Sequence, residues 1–416
     1  MTTVALRPAQ LFLLVFLPFA AGYFLSFLFR SINAVIAADL TRDLGLDASS
    51  LGLLTAAFFI AFASIQLPLG VVLDRYGAAR VQSLLLTIAA LGSLIFALAD
   101  DILTLSFGRA LIGLGCAGGL MAAFKAIMRW FPAERLALVN GCFLSIGGLG
   151  AMSATQPIEL MLTFTDWRGV FLILSGLSLT SAVSIFLFVP RGDASESPSA
   201  LAVQVREVGG ILTDALFWRF APISVFGMGV TMSIQGLWAG PWLLDVAALP
   251  REDVANRLLA MAGAMAFGFI GTGYLSDFLR ARGVSSIHLM AAGTVLTILT
   301  LVAILLQVDP TGWWHWILFG AVGNVTALVY PALARHFGRD AAGRANTANT
   351  MLVFAGTFAI QYLIGAIIDL WPRDETGAYP AIAYQTAFAA TIACQIASLI
   401  WLFRPGPDLK SALRQL

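Results

Sequence analysis

The chain alternates between long apolar stretches and short polar turns from end to end. Twelve stretches are about 20 residues long or longer, so that as helices they would cross a bilayer core of about 30 Å. They are uniformly apolar rather than alternating in polarity, which argues against a membrane β-barrel. The pattern therefore predicts an all-α polytopic membrane protein. We number the predicted helices α1 (10–37), α2 (51–73), α3 (81–99), α4 (103–128), α5 (136–160), α6 (167–189), α7 (217–244), α8 (254–279), α9 (287–308), α10 (313–334), α11 (345–370) and α12 (381–403).

A polar segment, residues 191–215, divides the predicted helices into six and six. Its first part contains Gly, Asp, Ser, Glu and Pro, a composition typical of a loop. Its second part is predicted to lie as a short helix along the membrane face. The sequence thus predicts an N-terminal six-helix bundle (1–190), this linker, and a C-terminal six-helix bundle with a tail (216–416).

The ends of α2 and α8 carry the same short pattern. Gly70 is followed four residues later by Asp74, Gly273 is followed in the same way by Asp277, and arginines follow both. Because the pattern occurs at the same place in each half, it predicts an internal repeat, which is the usual construction of secondary transporters.

Basic residues indicate the orientation. If the N-terminus lies inside, 17 of the 24 Lys and Arg residues fall on the cytoplasmic side and 5 outside, as the positive-inside rule requires. The other two, Arg30 and Arg109, lie within predicted helices. The first apolar stretch follows Arg7 directly without a cleavage site, so we expect no cleaved signal peptide. The sequence predicts a multi-pass protein of the inner (plasma) membrane, surrounded by the lipid bilayer, with both termini cytoplasmic.

Composition supports the membrane class and little else. Hydrophobic residues make up 59% of the chain and the net charge is +1, against about 45–50% apolar residues in soluble globular proteins. The three cysteines and three histidines show no metal-ligand spacing, and no nucleophile elbow, HExxH or P-loop is present. We expect no enzyme activity, no cofactor, no nucleic-acid partner and a monomer.

Two motifs resemble those of the major facilitator superfamily. The family's loop between its second and third helices carries Gly, then Asp-Arg, then Gly and basic residues, and its fourth helix carries Arg followed by Gly-x-Gly. The matching residues are Gly70, Asp74, Arg75, Gly77 and Arg80 in the loop and Arg109, Gly113 and Gly115 in α4. The resemblance covers nearly the whole chain. It implies two six-helix bundles that rock about a central site near the membrane midplane.

The chain departs from the family's patterns at two places. The Gln often found before the first Gly of the fourth-helix motif is Ile112 here, and α5 lacks the Gly-Pro pair by which antiporter members resemble one another. The second departure argues against a drug/proton antiporter.

Asp74 stands at the C-terminal end of α2, where a carboxylate faces the negative end of its own helix dipole. On the cytoplasmic side it could instead face the N-terminus of α11, where a carboxylate is favoured by about 0.3–1 kcal/mol. Asp277 could serve the start of α5 by pseudo-symmetry. The other interpretation is an ordinary solvated turn. The predicted gating residues are Gly70, Asp74, Arg75, Gly77, Arg80, Arg109 and Asp277, with Arg109 assigned to helix packing or coupling.

Arg30 is an arginine inside α1, about 10 Å from the predicted outer end at 1.5 Å per residue. Because such a charge costs at least about 2.5–3.5 kcal/mol on insertion scales, it usually faces a cavity or a partner. The alternatives are that Arg30 extends outward to the interface or pairs with Asp39 or Glu159. Asn33, three residues on, lies on the same helix face. An Arg fork beside an amide suits a carboxylate or another oxyanion.

Other polar residues complete the predicted site. Gln235 and Trp238 precede Gly240-Pro241, where α7 should bend and free backbone groups. No acidic residue is predicted near the midplane, which favours an anionic or neutral solute and leaves proton coupling, at Asp39 or on the substrate itself, open. Polar residues at depth can also serve as interhelical contacts. The predicted substrate-binding residues are Arg30, Asn33, Gln235, Trp238, Asn349 and Gln361.

Two methionine pairs suggest a different cargo. Met228 and Met232 in α7, and Met261 and Met265 in α8, are each four residues apart, and thioethers are ligands for Cu(I). The arrangement resembles that of copper-importing members of the superfamily, whereas ordinary packing is the alternative. The sequence therefore favours a secondary transporter of a small organic anion or polar metabolite, with a copper importer or a multidrug/proton efflux transporter as alternatives.

Overall fold

The computed structural model describes residues 8–132, 135–190 and 201–405, and these residues form helices and turns without a strand. Ten helices are long and apolar enough to cross a membrane, and an eleventh is counted if two pieces bent by 51° form one span. The remaining predicted segment, α5, contains a shorter apolar helix. The all-α polytopic fold class is therefore confirmed, although only up to eleven of the described helices meet the spanning criterion by themselves.

The helices of the first half run as follows: α1, Ala9–Ser31 continued by Asn33–Leu44; α2, Ala48–Ser64 and Gln66–Tyr76; α3, Ala78–Leu98; α4, Ile102–Trp130; α5, Leu136–Ser153 and Gln156–Met161; and α6, Trp167–Phe188. Those of the second half are α7, Ala215–Asp245; α8, Arg251–Arg280; α9, Ser286–Leu305; α10, Trp314–Gly338; α11, Ala341–Ile368; and α12, Ala381–Phe403. A linker helix, Leu201–Leu212, precedes α7. We call the end of the bundle where α1 begins and α12 ends the terminal face, and the opposite end the distal face.

α1 is longer than its apolar pattern indicates. It continues past residue 37 to Leu44 and ends at Gly45, whose φ of 64° is the left-handed conformation typical of a helix C-terminus. Arg30 therefore lies fourteen residues before the helix end, which is about 21 Å at 1.5 Å per residue. This is farther than the 10 Å expected from the sequence, because the residues after position 37 are helical.

Several helices are irregular near their middles. In α7 the segment Ile234–Trp238 is a π-helical turn, which lies just before Pro241. Proline has no N–H to donate, and its ring crowds the carbonyl four residues earlier, so the regular helical ladder cannot pass through it. The predicted irregularity before Gly240-Pro241 is thus present. Breaks of this kind free backbone groups inside a membrane protein, where only buried or wet sites tolerate them.

The apolar cores differ between the two faces. Toward the distal face one cluster of buried residues includes Phe29 and Leu54 from the first half and Trp238 and Ile364 from the second. Toward the terminal face a cluster around Leu85 contains first-half residues, and a separate one is formed by buried residues of the second half. The halves therefore share a core on the distal side, whereas on the terminal side their buried residues form separate clusters, with Leu67 of α2 packed against that of the second half.

Candidate functional site

The Arg30 side chain lies among three phenyl rings. Its guanidinium carbon is 4.5 Å from the ring centroid of Phe27, 5.1 Å from that of Phe354 and 5.7 Å from that of Phe62. The side chain is half-buried, and its Nε has no hydrogen-bond partner. Among the described residues no Asp or Glu lies within ion-pairing distance of it. A guanidinium without a counter-ion has the chemistry to bind an anion, and for Arg30 this role stays a prediction.

The two carboxylates that the sequence offers as partners for Arg30 bind another arginine. Arg251 donates from Nη1 and Nη2 to the two Asp39 oxygens at 2.7 Å each, and from Nε to Glu159 at 3.1 Å. Asp39 and Glu159 are therefore occupied. The alternative of an Arg30 pair with either residue is excluded.

The Phe62 and Phe354 rings join the two halves beside Arg30. They stack with centroids 4.1 Å apart and an interplanar angle of 8°. Phe62 belongs to α2 in the first half and Phe354 to α11 in the second. Offset or stacked aromatic pairs contribute about 0.5–1.5 kcal/mol in addition to the free energy of the area they bury. This pair therefore stabilises the contact between the two halves.

Asn33 is fully buried. Its Nδ2 donates to Thr55 Oγ1 of α2 at 2.7 Å, while its Oδ1 has no partner. The predicted joint site of Arg30 and Asn33 stays a prediction. The amide connects α1 with α2.

The π-turn of α7 packs against the Arg30 backbone. A Cβ placed on Gly236 would lie 3.2 Å from the Arg30 carbonyl oxygen. The neighbouring Gln235 is buried, and its Nε2 has no hydrogen-bond partner. Gln235 thus has a free donor in a helical turn that contacts α1.

Trp238, Gln361 and Asn349 contact other helices. The Trp238 indole donates to the Gln361 backbone oxygen at 3.2 Å, joining α7 to α11. The Gln361 side-chain amide is fully buried, and neither of its polar atoms has a partner. Asn349 Nδ2 donates to Ser224 Oγ at 2.9 Å. These three residues hold helices together in this conformation, and their predicted role in substrate binding stays a prediction.

Arg109 supports α1 from within the first half. It is fully buried, and its Nη1 donates to the Phe29 carbonyl at 3.0 Å. A Cβ on Gly113, one turn later in α4, would lie 2.1 Å from the Phe58 carbonyl, so only glycine permits this close approach of α4 to α2. Arg109 therefore contacts the backbone next to Arg30. A role in positioning that helix is consistent with this contact.

The charged turn after α2 lies on the terminal face. Lys125 of α4 donates to the Leu73 carbonyl at 2.8 Å and to Asp74 Oδ1 at 2.5 Å. Gly77, with φ of 84°, ends the helix in a conformation that disfavours side chains. A pocket of about 170 Å³ opens here, lined by Asp74, Tyr76, Gly77, Arg80, Lys125, Arg129 and Trp130 among others.

Among the described residues, neither repeat aspartate contacts its predicted partner in this conformation. Asp74 pairs with Lys125 of its own half rather than with the start of α11. Asp277 pairs with Arg280 of its own helix at 2.8 Å, and its side chain is 74% exposed. The gating roles of Gly70, Asp74, Arg75, Gly77, Arg80 and Asp277 stay predictions.

On the distal face the halves are joined by charge. We call Asp39, Glu159 and Arg251 the distal clamp. Asp39 and Glu159 come from α1 and α5, Arg251 begins α8, and the side chains are 8%, 16% and 34% exposed respectively. Of the ion pairs between described residues, those of the clamp are the ones that cross from one half to the other. No local pattern in the sequence points to it, because its members are more than 90 residues apart.

A second distal contact places a carboxylate at a helix N-terminus. Asp369, at the C-terminal end of α11, accepts hydrogen bonds from the backbone N–H of Ala48 at 2.9 Å and of Ser49 at 2.6 Å, where α2 begins. The Tyr379 hydroxyl also donates to Asp369. Burial, and then this hydrogen bond, raise the pKa of Tyr379, so the phenol remains a donor. Asp369 was not selected from the sequence, although, like Asp74, it stands at the C-terminal end of its helix.

The four methionines of the copper alternative do not all pack in one apolar cluster. Met228 and Met232 of α7 accept long contacts from Ser224 at 4.0 Å and Thr357 at 3.9 Å. Met261 belongs to the shared distal core, whereas Met265 packs in a small separate cluster. Among the described residues no group of three or more His, Cys, Asp or Glu could hold a metal ion. The copper alternative stays a prediction without support from these contacts.

Known proteins resemble this chain over much of its length. The hexuronate transporter of Escherichia coli is 24% identical over 379 residues, covering 84% of this chain and 85% of that protein. The hexuronate transporter of Bacillus subtilis is 27% identical and covers 62% of this chain and 63% of that protein. The probable sulfoacetate transporter of Cupriavidus necator is 26% identical, with 45% and 43% covered. The chain thus spans about half the length of some of these curated relatives.

Solved structures show the same fold. A bacterial homolog of the human lysosomal transporter Spinster, in an inward-facing and occupied conformation, superposes with a TM-score of 0.77 at 19% identity, covering 99% of this chain and 98% of that one. The family model described as Major Facilitator Superfamily matches residues 19–360, which is most of the chain. This multi-span membrane protein belongs to the Major Facilitator Superfamily.

Proposed function

We propose that this protein is a secondary active transporter of the inner membrane that moves a small organic anion by alternating access. The observation that carries the proposal is the Arg30 guanidinium, which lies near the middle of α1 without a carboxylate partner among the described residues. A charge held in a membrane interior is costly unless something neutralises it. An anionic substrate would supply the missing charge and would bind in the fork of the guanidinium.

The names of the relatives support the same class of substrate. They include transporters of hexuronate, sulfoacetate and L-galactonate, each of which carries an acid group that is ionised at neutral pH. The identities of 24–27% support the shared class rather than any one of these solutes. The multidrug alternative has less support, because a pump for cations would be expected to hold an acid where this chain holds Arg30.

The clamp and the distribution of cores support alternating access. The positive-inside rule would put the distal face outside and both termini in the cytoplasm. The distal clamp and the shared core then close the outer side, and the separate terminal cores leave the halves free to part on the cytoplasmic side. In the opposite state we propose that Asp74 binds the start of α11 and Asp277 the start of α5. The contact of Asp369 with the start of α2 is of the same type, because a carboxylate of one half accepts from the N-terminus of a helix in the other half.

We assign roles to the predicted site on this basis. Arg30 binds the anion, Gln235 offers a free amide donor on the wall, and Arg109 positions α1. Asn33, Trp238, Asn349 and Gln361 are assigned to the helix contacts around the site. The two halves are proposed to move as six-helix bundles within a monomer.

A thermal-shift screen on purified protein tests the proposal. Benzoate, glucuronate, sulfoacetate and acetate serve as anionic probes, and tetraphenylphosphonium and Cu(I) as cationic ones. We expect at least one anion to raise the Tm of the wild type, and Arg30→Gln to abolish that shift. The matched control is Arg282→Gln, because Arg282 is exposed and bonds within its own helix end. An anion bound equally by Arg30→Gln, or stabilisation by the cations alone, would overturn the proposal.

A further inference from the structure

The surroundings of Arg30 are aromatic and apolar. The ring centroids of Phe27, Phe62 and Phe354 all lie within 5.7 Å of the guanidinium carbon. A bound molecule would touch side chains that pack against the shared core and remain partly exposed. Phe24, Met232, Met351 and Phe358 are four of these.

Polar groups near the shared core are only partly paired within the protein. Asn33 donates to Thr55, Asn349 donates to Ser224, and the Tyr330 hydroxyl pairs with Thr350 Oγ1 at 3.1 Å. Five buried amide atoms of the predicted site residues have no partner: Asn33 Oδ1, Gln235 Nε2, Asn349 Oδ1, and Gln361 Nε2 and Oε1. The groups in contact with the Arg30 guanidinium itself are the three rings.

A sugar acid fits these surroundings poorly. It carries several hydroxyl groups in addition to its carboxylate, and each one buried without a hydrogen bond lowers affinity. A site that reads hydroxyl groups needs a matching set of donors and acceptors. The three rings nearest the Arg30 guanidinium, those of Phe27, Phe62 and Phe354, carry no such groups.

We propose that the anion is an aromatic carboxylate, whose carboxylate binds the Arg30 fork and whose ring packs against the stacked pair Phe62 and Phe354. This deepens the proposed function and rests on Arg30 being the anion site. Aromatic rings gain from edge or offset contact with other rings in addition to apolar burial. Because Phe62 and Phe354 belong to different halves, the ring of the substrate would contact both halves at once.

In this arrangement Phe354 and Phe62 select substrates with an aromatic ring, and Arg30 provides the affinity for the acid group. Phe354→Leu keeps an apolar side chain and removes the ring. It is expected to lose the preference for aromatic acids while still binding acetate. The matched control is Phe171→Leu, because Phe171 stacks on Phe96 with centroids 4.2 Å apart inside the first half, away from the interface between halves.

Dissociation constants of benzoate, phenylacetate, cyclohexanecarboxylate, glucuronate and acetate on the purified full chain test the inference. We expect benzoate and phenylacetate to bind at least tenfold more tightly than glucuronate and acetate, with cyclohexanecarboxylate between. Phe354→Leu should reduce the ratio of benzoate to acetate affinity about tenfold, and Phe171→Leu should leave it unchanged. Phe62→Leu gives the same readout if Phe354→Leu does not fold.

The outcomes separate the inference from the proposed function. Arg30-dependent binding of glucuronate that equals or exceeds that of benzoate would overturn the aromatic class and leave the anion transporter standing. An unchanged benzoate to acetate ratio in both Phe354→Leu and Phe62→Leu would also overturn it. Failure of every acid to bind, or binding that ignores Arg30→Gln, would instead remove the proposed function.

Discussion

The Asp369 carboxylate accepts a 2.6 Å hydrogen bond from the backbone N–H of Ser49, although 320 residues separate them. Asp369 ends α11 in the second half, and Ser49 lies in the first turn of α2 in the first half. A carboxylate at a helix C-terminus faces the negative end of its own dipole, whereas the N-terminus of another helix attracts it. The contact is therefore favourable only while the two halves are together on the distal face.

Replacing Asp369 with Asn should loosen the start of α2. The amide cannot carry the charge, and hydrogen bonds to charged groups contribute about 1.5–3 kcal/mol against about 0.5–1.5 for neutral ones. We expect hydrogen exchange at the amides of Ala48 and Ser49 to accelerate roughly tenfold, because about 1.4 kcal/mol corresponds to that factor. Asp101→Asn is the control, since Asp101 caps the start of α4 within its own half through Leu103 and Thr104. Unchanged exchange in Asp369→Asn would show that the contact contributes nothing.

Replacing Arg251 with Gln should open the distal face. Asp39 is 8% exposed and would lose the bidentate partner that compensates its burial. We expect a spin-label pair across the distal face to show a larger population at long distance, and the Tm to fall. Adding Asp39→Asn should recover part of the lost Tm, because it removes the charge that was left buried.

Arg257→Gln is the control for that experiment. Arg257 lies in the same helix and donates to the Thr311 carbonyl of its own half at 2.6 Å. Because its contacts lie within the second half, Arg257→Gln should lower the Tm and leave the spin-label distance as in the wild type. Equal distance distributions in Arg251→Gln and the wild type would refute the clamp.

Replacing Gly240 with Ala should force α7 away from α1. The added Cβ would lie 1.9 Å from the Ala34 carbonyl oxygen, which is backbone and cannot rotate away. Overpacking of this kind costs about 1–3 kcal/mol. We expect a lower Tm, measured by scanning fluorimetry. Gly141→Ala should leave the Tm unchanged or raise it, because nothing lies within 4 Å of that Cβ and alanine is the better helix former.

Replacing Asp74 with Asn should slow transport while the protein remains in the membrane. Asp74 and Lys125 are 43% and 35% exposed, so their ion pair is screened and its loss should change the free energy of unfolding by no more than about 1 kcal/mol. The expected result is a several-fold lower rate of carboxylate uptake into proteoliposomes. Asp100→Asn removes a comparable exposed pair, with Arg168, and should transport normally. A wild-type rate for Asp74→Asn would remove it from the gate.

Periodicity and insertion cost predict the helices, the irregular middle of α7 and the position of Arg30 inside α1. They fail at the end of α1, where Asp39 and Arg42 read as a loop. Asp39 pairs there with Arg42 of its own helix and with Arg251 of the other half, and only the first of these contacts can be found from local spacing. The rings around Arg30 were also missed, since Phe62 and Phe354 are two of 30 phenylalanines in an apolar chain. Asp369 could have been found, because the helix-end argument applied to Asp74 applies to it equally.

Because the shared apolar core lies on the distal side, the apparent affinity for a solute should depend on the side of the membrane from which the solute is added. Separating the halves distally exposes buried side chains such as Phe29 and Trp238, whereas separation at the terminal face leaves each half with its own core. With the distal face outside, as we propose, the outward-open form should therefore be a minor species at rest. A solute arriving from outside can bind only that minor fraction, so its apparent dissociation constant is larger by the inverse of the fraction. The same solute added from the cytoplasmic side binds the abundant form. The ratio of the two apparent dissociation constants therefore measures the equilibrium between the two forms at rest.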